Sequence, residues 1–344
     1  MADKKSSGIN QSMELCKFIA SVFVVLIHIN LPDDYGTVAN CLARFAVPVF
    51  FAISGYFSFN VNSDKIKHRA LHILKITVVS SVFYVVWLCW RTINFENISV
   101  REYLESCLTE KKLTQWLIGG INPFSGHLWY LSAILTCYII LWFYVKFSEK
   151  EKINYNALYI IGACGLMIHL AFGSNASVAG AKFSHVIYRN ALFFGLPMFA
   201  SGMFIREHQK HINERFNLGA FKEIGLFVFG VLLSLLQWKG SGVVEMPVGT
   251  IIEVFALMLL MSNNPKILSS KFDGLFKSLG NISLIVYIVH PFFIQLIANY
   301  SKKVEFFATV QSDEWAAPLA VIVFSLTAGI IYDLVITAFK KVTR

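Results

Sequence analysis

Lys17 and His28 lie eleven residues apart in an apolar segment. On an α-helix that is about three turns, so the two side chains fall almost on one line, roughly 16 Å apart along the axis. Glu14 and Ser21 share the same narrow sector, which gives an otherwise apolar helix one polar stripe. An imidazole whose pKa lies near neutrality is the natural general base or proton carrier, and a nearby cation can hold a carboxylate or phosphate. Five further ionisable residues sit in five other apolar segments: Arg44, His127, Arg189, Glu253 and His290. Such groups are costly inside a membrane and by default mark a functional site. The plainer alternatives are a histidine bonded to a neighbouring carbonyl and an ion pair of Arg44 or Arg189 with Glu253. His290 precedes Pro291, which opens the local helical ladder. His169, next to an outer helix end, reads as interfacial; Lys75 and Lys222 read as snorkelling and Asp333 as an inner-end residue. No GxSxG, HExxH, Walker A or dinucleotide fingerprint occurs.

The elements that must position these residues follow from composition. The 344-residue chain is 56% hydrophobic, 15% aromatic and 15% charged, with mean hydropathy +0.59. Soluble domains carry about 25% charged residues, so an ordinary soluble enzyme is excluded. Ten apolar runs, 13–31, 38–59, 71–91, 127–147, 156–173, 186–205, 219–236, 247–262, 279–299 and 317–338, predict an all-α, polytopic membrane bundle of about ten helices. No long polar stretch is left for a soluble domain, so residues 1–344 read as a single integral-membrane domain. The connection 92–126 reads as a surface loop with one short amphipathic helix. Lys4 and Lys5 precede the first run as in a signal peptide, but Glu14 and Lys17 interrupt it, so it reads as an uncleaved span. Six cysteines show no CxxC and no metal-ligand spacing, so no metal is expected.

Lys and Arg set the orientation. Seventeen fall in alternate connections and the two tails: Lys4, Lys5, Lys65, Lys67, Arg69, Lys146, Lys150, Lys152, Arg206, Lys210, Arg215, Lys266, Lys271, Lys277, Lys340, Lys341 and Arg344. Eight fall in the opposite connections: Arg91, Arg101, Lys111, Lys112, Lys182, Lys239, Lys302 and Lys303. Both termini are therefore expected in the cytoplasm. The net charge of +9 is accounted for in this way, with no nucleic-acid partner. The same orientation places His28, Arg44, His127, Arg189, Glu253 and His290 together in or near the outer half of the bilayer.

These residues also carry a resemblance. Lys17-Phe18-Ile19-Ala20 with Ile27-His28, Arg44 through Phe51 with Ser54-Gly55-Tyr56-Phe57, His127-Leu128-Trp129-Tyr130-Leu131, Arg189-Asn190 with Phe193 through Pro197, and Tyr287 through Pro291 resemble, in order and spacing, the membrane-bound acyltransferase family 3. That family usually has Arg where this chain has Lys17, and Lys lacks the bidentate fork. The resemblance implies a bacterial inner-membrane enzyme that O-acylates a glycan or lipid-linked saccharide. Acetyl-CoA would be a co-substrate and no cofactor would be bound. It makes His28, His290 and Glu253 the catalytic candidates and Lys17, Arg44, His127, Trp129 and Arg189 the substrate-binding candidates. Lys65, Lys67, Arg69 and Arg206 would receive the CoA nucleotide. A related membrane domain in vancomycin-resistance serine racemases is associated with serine uptake, so a small-molecule or glycan transporter is the alternative.

Overall fold

The computed structural model describes residues 9–96, 98–148, 153–173, 189–242 and 244–342, and among them there is no strand. Lys4, Lys5, Lys150, Lys152, Lys182 and Arg344 lie outside the described residues. The α-helices are α1 Gln11–His28, α2 Asp33–Leu42, α3 Ala46–Tyr56, α4 Ser63–Arg91, α5 Val100–Cys107, α6 Glu110–Gly119 and α7 Trp129–Ser148. They continue as α8 Asn156–Ile168, α9 Leu196–Phe216, α10 Ala220–Ser241, α11 Val248–Asn263, α12 Asp273–Tyr300, α13 Glu305–Ser312 and α14 Ala316–Val342. Among the described residues, seven helical segments are long and apolar enough to cross a membrane, and two more, Asn156–Phe172 and Val248–Asn263, are apolar but shorter. The protein is a multi-pass membrane protein.

Each predicted run overlaps a helix among the described residues, with 186–188 outside them, and the ends differ for identifiable reasons. The first helix stops at His28, with Ile29 already extended, and Pro32 immediately precedes the next helix. The second run is two helices joined by a 3₁₀ turn, Ala43–Phe45, which carries Arg44. The third starts at Ser63, where Asn62 accepts the Lys65 N–H at 3.2 Å as a cap. The 92–126 connection holds two helices. Ser99 and Glu102 form a capping box before α5, and Thr109 caps α6, which ends at Gly120 in the left-handed region (φ 70°).

The chain divides into two compact units. The first comprises 1–49, 209–237 and 249–344, and the second 50–208 and 238–248. In the first, α1, α12 and α14 share a core of Val25, Ile282, Val286, Ile297 and Val321, with Phe18, Phe293 and Phe324 packed against it. Lys17 lies by Gly280 and His28 by His290, so α1 and α12 run parallel. Asn281 donates to Asp333 at 2.7 Å and Phe293 meets Phe324, so α12 and α14 run antiparallel. Asp333, read from sequence as an inner-end residue, is therefore a buried tie between helices. In the second unit α3 and α9 cross through small residues, as expected of membrane helices. A methyl group on Gly55 would strike the Phe199 carbonyl, and one on Gly202 the Ala52 carbonyl.

Candidate functional site

The polar stripe of α1 faces α12 along its whole length. Lys17 Nζ pairs with Glu14 Oε2 at 2.6 Å, and both lie against Gly280, which has no side chain to exclude them. Ser21, fully buried, donates to the Phe18 carbonyl at 2.7 Å. His28, exposed at the last turn, has its ring centroid 5.0 Å from that of His290, with 41° between the planes. His290 is fully buried, and its Nδ1 lies 3.1 Å from the Val286 carbonyl. A carbonyl can only accept, so Nδ1 carries the proton and Nε2 is the basic nitrogen. Pro291 removes the N–H that a regular helix would deliver to the Tyr287 carbonyl.

Two further residues of this unit are held differently from the sequence expectation. Arg44 Nη2 reaches back one turn to Asn40 Oδ1 at 2.6 Å. Glu253, 1% exposed, receives the Ser234 hydroxyl at 2.6 Å where α10 and α11 cross at Gly230 and Gly249. Its partner is thus a hydroxyl, whereas the sequence suggested a guanidinium.

The second unit holds the other candidates. Asn122 accepts the Phe124 and Ser125 N–H groups at 2.9 and 3.2 Å and donates to Ser81 of α4 at 2.7 Å. This fixes the turn that presents His127, whose Nδ1 lies 2.8 Å from Ser125 Oγ and whose ring meets Tyr84 edge-on. Trp129 is buried, edge-on to Phe194 at 5.3 Å, so its ring is committed to packing. Arg189 forms a bidentate pair with Glu245, Nε to Oε1 at 2.8 Å and Nη2 to Oε2 at 2.7 Å. Asn190 caps the next turn by accepting the Leu192 and Phe193 N–H groups, each at 2.8 Å. His169, expected at an interface, is instead buried edge-on against Phe194.

Of the four basic residues assigned to the nucleotide, Lys65 and Lys67 are exposed at the head of α4. Arg69 donates to the Phe57 carbonyl at 2.8 Å and to Ser58 Oγ at 3.0 Å. Arg206 donates to Tyr56 OH at 2.9 Å and lies over its ring. Both guanidiniums therefore gather at the end of α3. Lys222, read as snorkelling, bonds the Asn217 carbonyl at 2.9 Å just beyond α9. Glu245, Asn40, Ser234 and Asn122 were not singled out from sequence. Asn122 and Glu245 lie in connections and Asn40 and Ser234 are single polar residues in apolar runs, and only the fold shows their partners.

The paired imidazoles of the first unit are suited to proton transfer, and the fixed guanidiniums of the second are suited to holding anions. The acyltransferase domain profile of family 3 matches residues 10–334, across both units, and the chain belongs to this acyltransferase family. It is similar to a serine/alanine racemase from Enterococcus gallinarum, 26% identical over 318 residues that cover 86% of this chain and 42% of that protein. The chain thus spans less than half the length of that relative. No solved structure matches.

Proposed function

We propose that this member of the acyltransferase family is a single catalytic domain of a bacterial inner membrane, with about ten spans and both termini in the cytoplasm. It moves an acetyl group from acetyl-CoA to a hydroxyl of a glycan or lipid-linked saccharide. The observation that carries the reading is the His28–His290 pair at the α1–α12 crossing. A sugar hydroxyl is a poor nucleophile near neutral pH, and a positioned imidazole raises its reactivity by taking its proton. His28 is the base, being exposed, and His290, with Nδ1–H held by the Val286 carbonyl, is its proton partner. Charge developing on the tetrahedral oxygen needs a fixed donor, a role we assign to Arg44, while His127 and Arg189 are assigned to binding the acceptor. Lys17 lies along the thioester arm. Glu253 braces the α10–α11 crossing through Ser234. The guanidiniums at the end of α3, with Lys65 and Lys67, receive the anionic nucleotide.

Purified protein incubated with labelled acetyl-CoA and a lipid-linked saccharide tests this. Transfer that disappears in His28→Ala supports the assignment, and normal transfer in that variant removes His28 from the mechanism. The alternative reading is a small-molecule or glycan transporter, and the relative's printed name, serine/alanine racemase, makes serine and alanine the molecules to test first. Uptake of serine or alanine into reconstituted vesicles, with no acylation, would select it.

A further inference from the structure

A groove of about 660 Å³ runs along the second unit between α4, α6, α7 and residues 190–193. Its open side is apolar: Val78, Val82, Leu117 and Leu192 line it and are 52%, 56%, 83% and 50% exposed. These positions continue the bare apolar flank of α4, where Val79 and Val86 are 69% and 64% exposed, a surface suited to lipid in a membrane protein. The groove therefore opens sideways onto hydrocarbon.

Its floor is different. Thr77 and Ser81 are one turn apart on α4, and Ser132 and Thr136 one turn apart on α7. Thr77, Ser81 and Thr136 donate their protons to carbonyls one turn back, at 2.9, 2.7 and 3.0 Å. What those three hydroxyls offer the groove is oxygen lone pairs, one of Ser81's being already taken by the Asn122 amide at 2.7 Å, and these suit a ligand rich in O–H donors. A hydrocarbon chain alone would gain nothing from them. The groove ends at Asn190, the neighbour of Arg189.

The helix over the groove supplies charge. Lys111 and Lys112 are exposed in the first turn of α6, and Trp116, Leu117 and Ile118 are exposed at its other end. The lysines lie outside the groove lining, with Lys112 about one turn before the Trp116–Ile118 end of α6 that lines it. One element thus holds two ammonium groups for a phosphate beside an apolar wall for a chain.

We propose that this groove binds a phosphate-bearing, lipid-linked saccharide. Its sugar hydroxyls would lie on the Thr77–Ser81 and Ser132–Thr136 ladders, its tail along Val78, Val82 and Leu117, and its phosphate toward Lys111 and Lys112. The inference rests on the reading that the acceptor is a lipid-linked glycan, and it assigns that acceptor a lateral entry route.

The test uses the full chain in lipid nanodiscs and a farnesyl phosphosugar with a diazirine in its tail. Photolysis labels peptides containing Val78–Val82 and Trp116–Ile118, and unlabelled phosphosugar competes. Thr136→Trp, which fills the floor, lowers labelling about tenfold, the effect of losing one well-made subsite. Leu117→Ser, at an exposed tip where folding is not at stake, lowers it less. Even labelling of all helices, or labelling by a diazirine phosphatidylglycerol that the phosphosugar does not displace, would show only bulk lipid in the groove and overturn the proposal. Labelling is read without turnover. A chain that labels as described but transfers no acetyl group breaks the acyl-transfer reading alone. Acetyl transfer with equal kcat/KM for tailed and tail-less saccharide breaks the groove alone.

Discussion

The α1–α12 crossing and the Arg189–Glu245 corner hold their functional groups by opposite means. At the crossing, His28 and His290 project from two helices that run parallel and pack through a shared core, α12 lacking one ladder bond at Pro291. Their separation is set by main-chain register, and the carbonyl that receives His290 Nδ1–H belongs to its own helix, at Val286. At the corner, Arg189 precedes a helical turn and is held by a carboxylate from a separate stretch of chain. His127 is likewise held by side chains of Ser125 and, through the turn, Asn122. The difference teaches where each region is vulnerable. In the first a substitution removes chemistry and leaves position intact. In the second, removing a partner shifts position and leaves the chemistry present but misdirected.

The largest effect is expected at the crossing. His28→Ala should lower acetyl transfer by about 10²–10⁴, the usual contribution of a general base. Its thermal unfolding should stay near that of the parent, because His28 is exposed at a helix end. A drop in activity that merely follows a drop in stability would break the contrast, since position would then depend on the imidazole itself.

A smaller effect should come from the corner. Glu245→Ala leaves Arg189 without its bidentate carboxylate, and the guanidinium then samples other rotamers. We expect KM for the acceptor to rise about tenfold with kcat little changed, the pattern of lost substrate binding. Glu245→Asp should restore part of it, because a carboxylate one methylene shorter can still meet the fork at one oxygen. Unchanged KM in Glu245→Ala would mean that Arg189 is positioned by its own turn, and the two regions would no longer differ in kind.

The same contrast explains what was legible in the sequence. The α1 stripe could be read because period 3.6 puts Glu14, Lys17, Ser21 and His28 on one face, and the fold turns that face to α12. Hydropathy located every apolar run but not the full helices. It could not see α4 beginning at Ser63, among Asp64, Lys65, Lys67 and Arg69, or α9 continuing through charged residues to Phe216. Helices persist beyond apolar stretches because caps and backbone bonds sustain them, and these leave little trace in hydropathy. Glu245 was illegible for another reason. It lies 56 residues from Arg189 in a short connection, and charge pairing across that distance has no sequence period.

The smallest effect tests how firmly the crossing itself is built. Gly280 of α12 faces the Glu14–Lys17 pair, and an added methyl would collide with the Glu14 carboxylate and come within 3.3 Å of Lys17 Nζ. Both are far ends of flexible side chains, so the pair gives way before the helices do. Gly280→Ala should therefore cost about 1 kcal/mol, at the low end for overpacking, and should raise KM for acetyl-CoA if Lys17 lies along the thioester arm. At Gly249 the added methyl meets the Gly230 carbonyl, a backbone atom that cannot swing aside. Gly249→Ala should thus be clearly more destabilising than Gly280→Ala in thermal unfolding of the purified protein. Equal losses would mean that the Glu14–Lys17 pair is as rigid as backbone. Register would then no longer be what distinguishes the α1–α12 crossing from the side-chain-built corner.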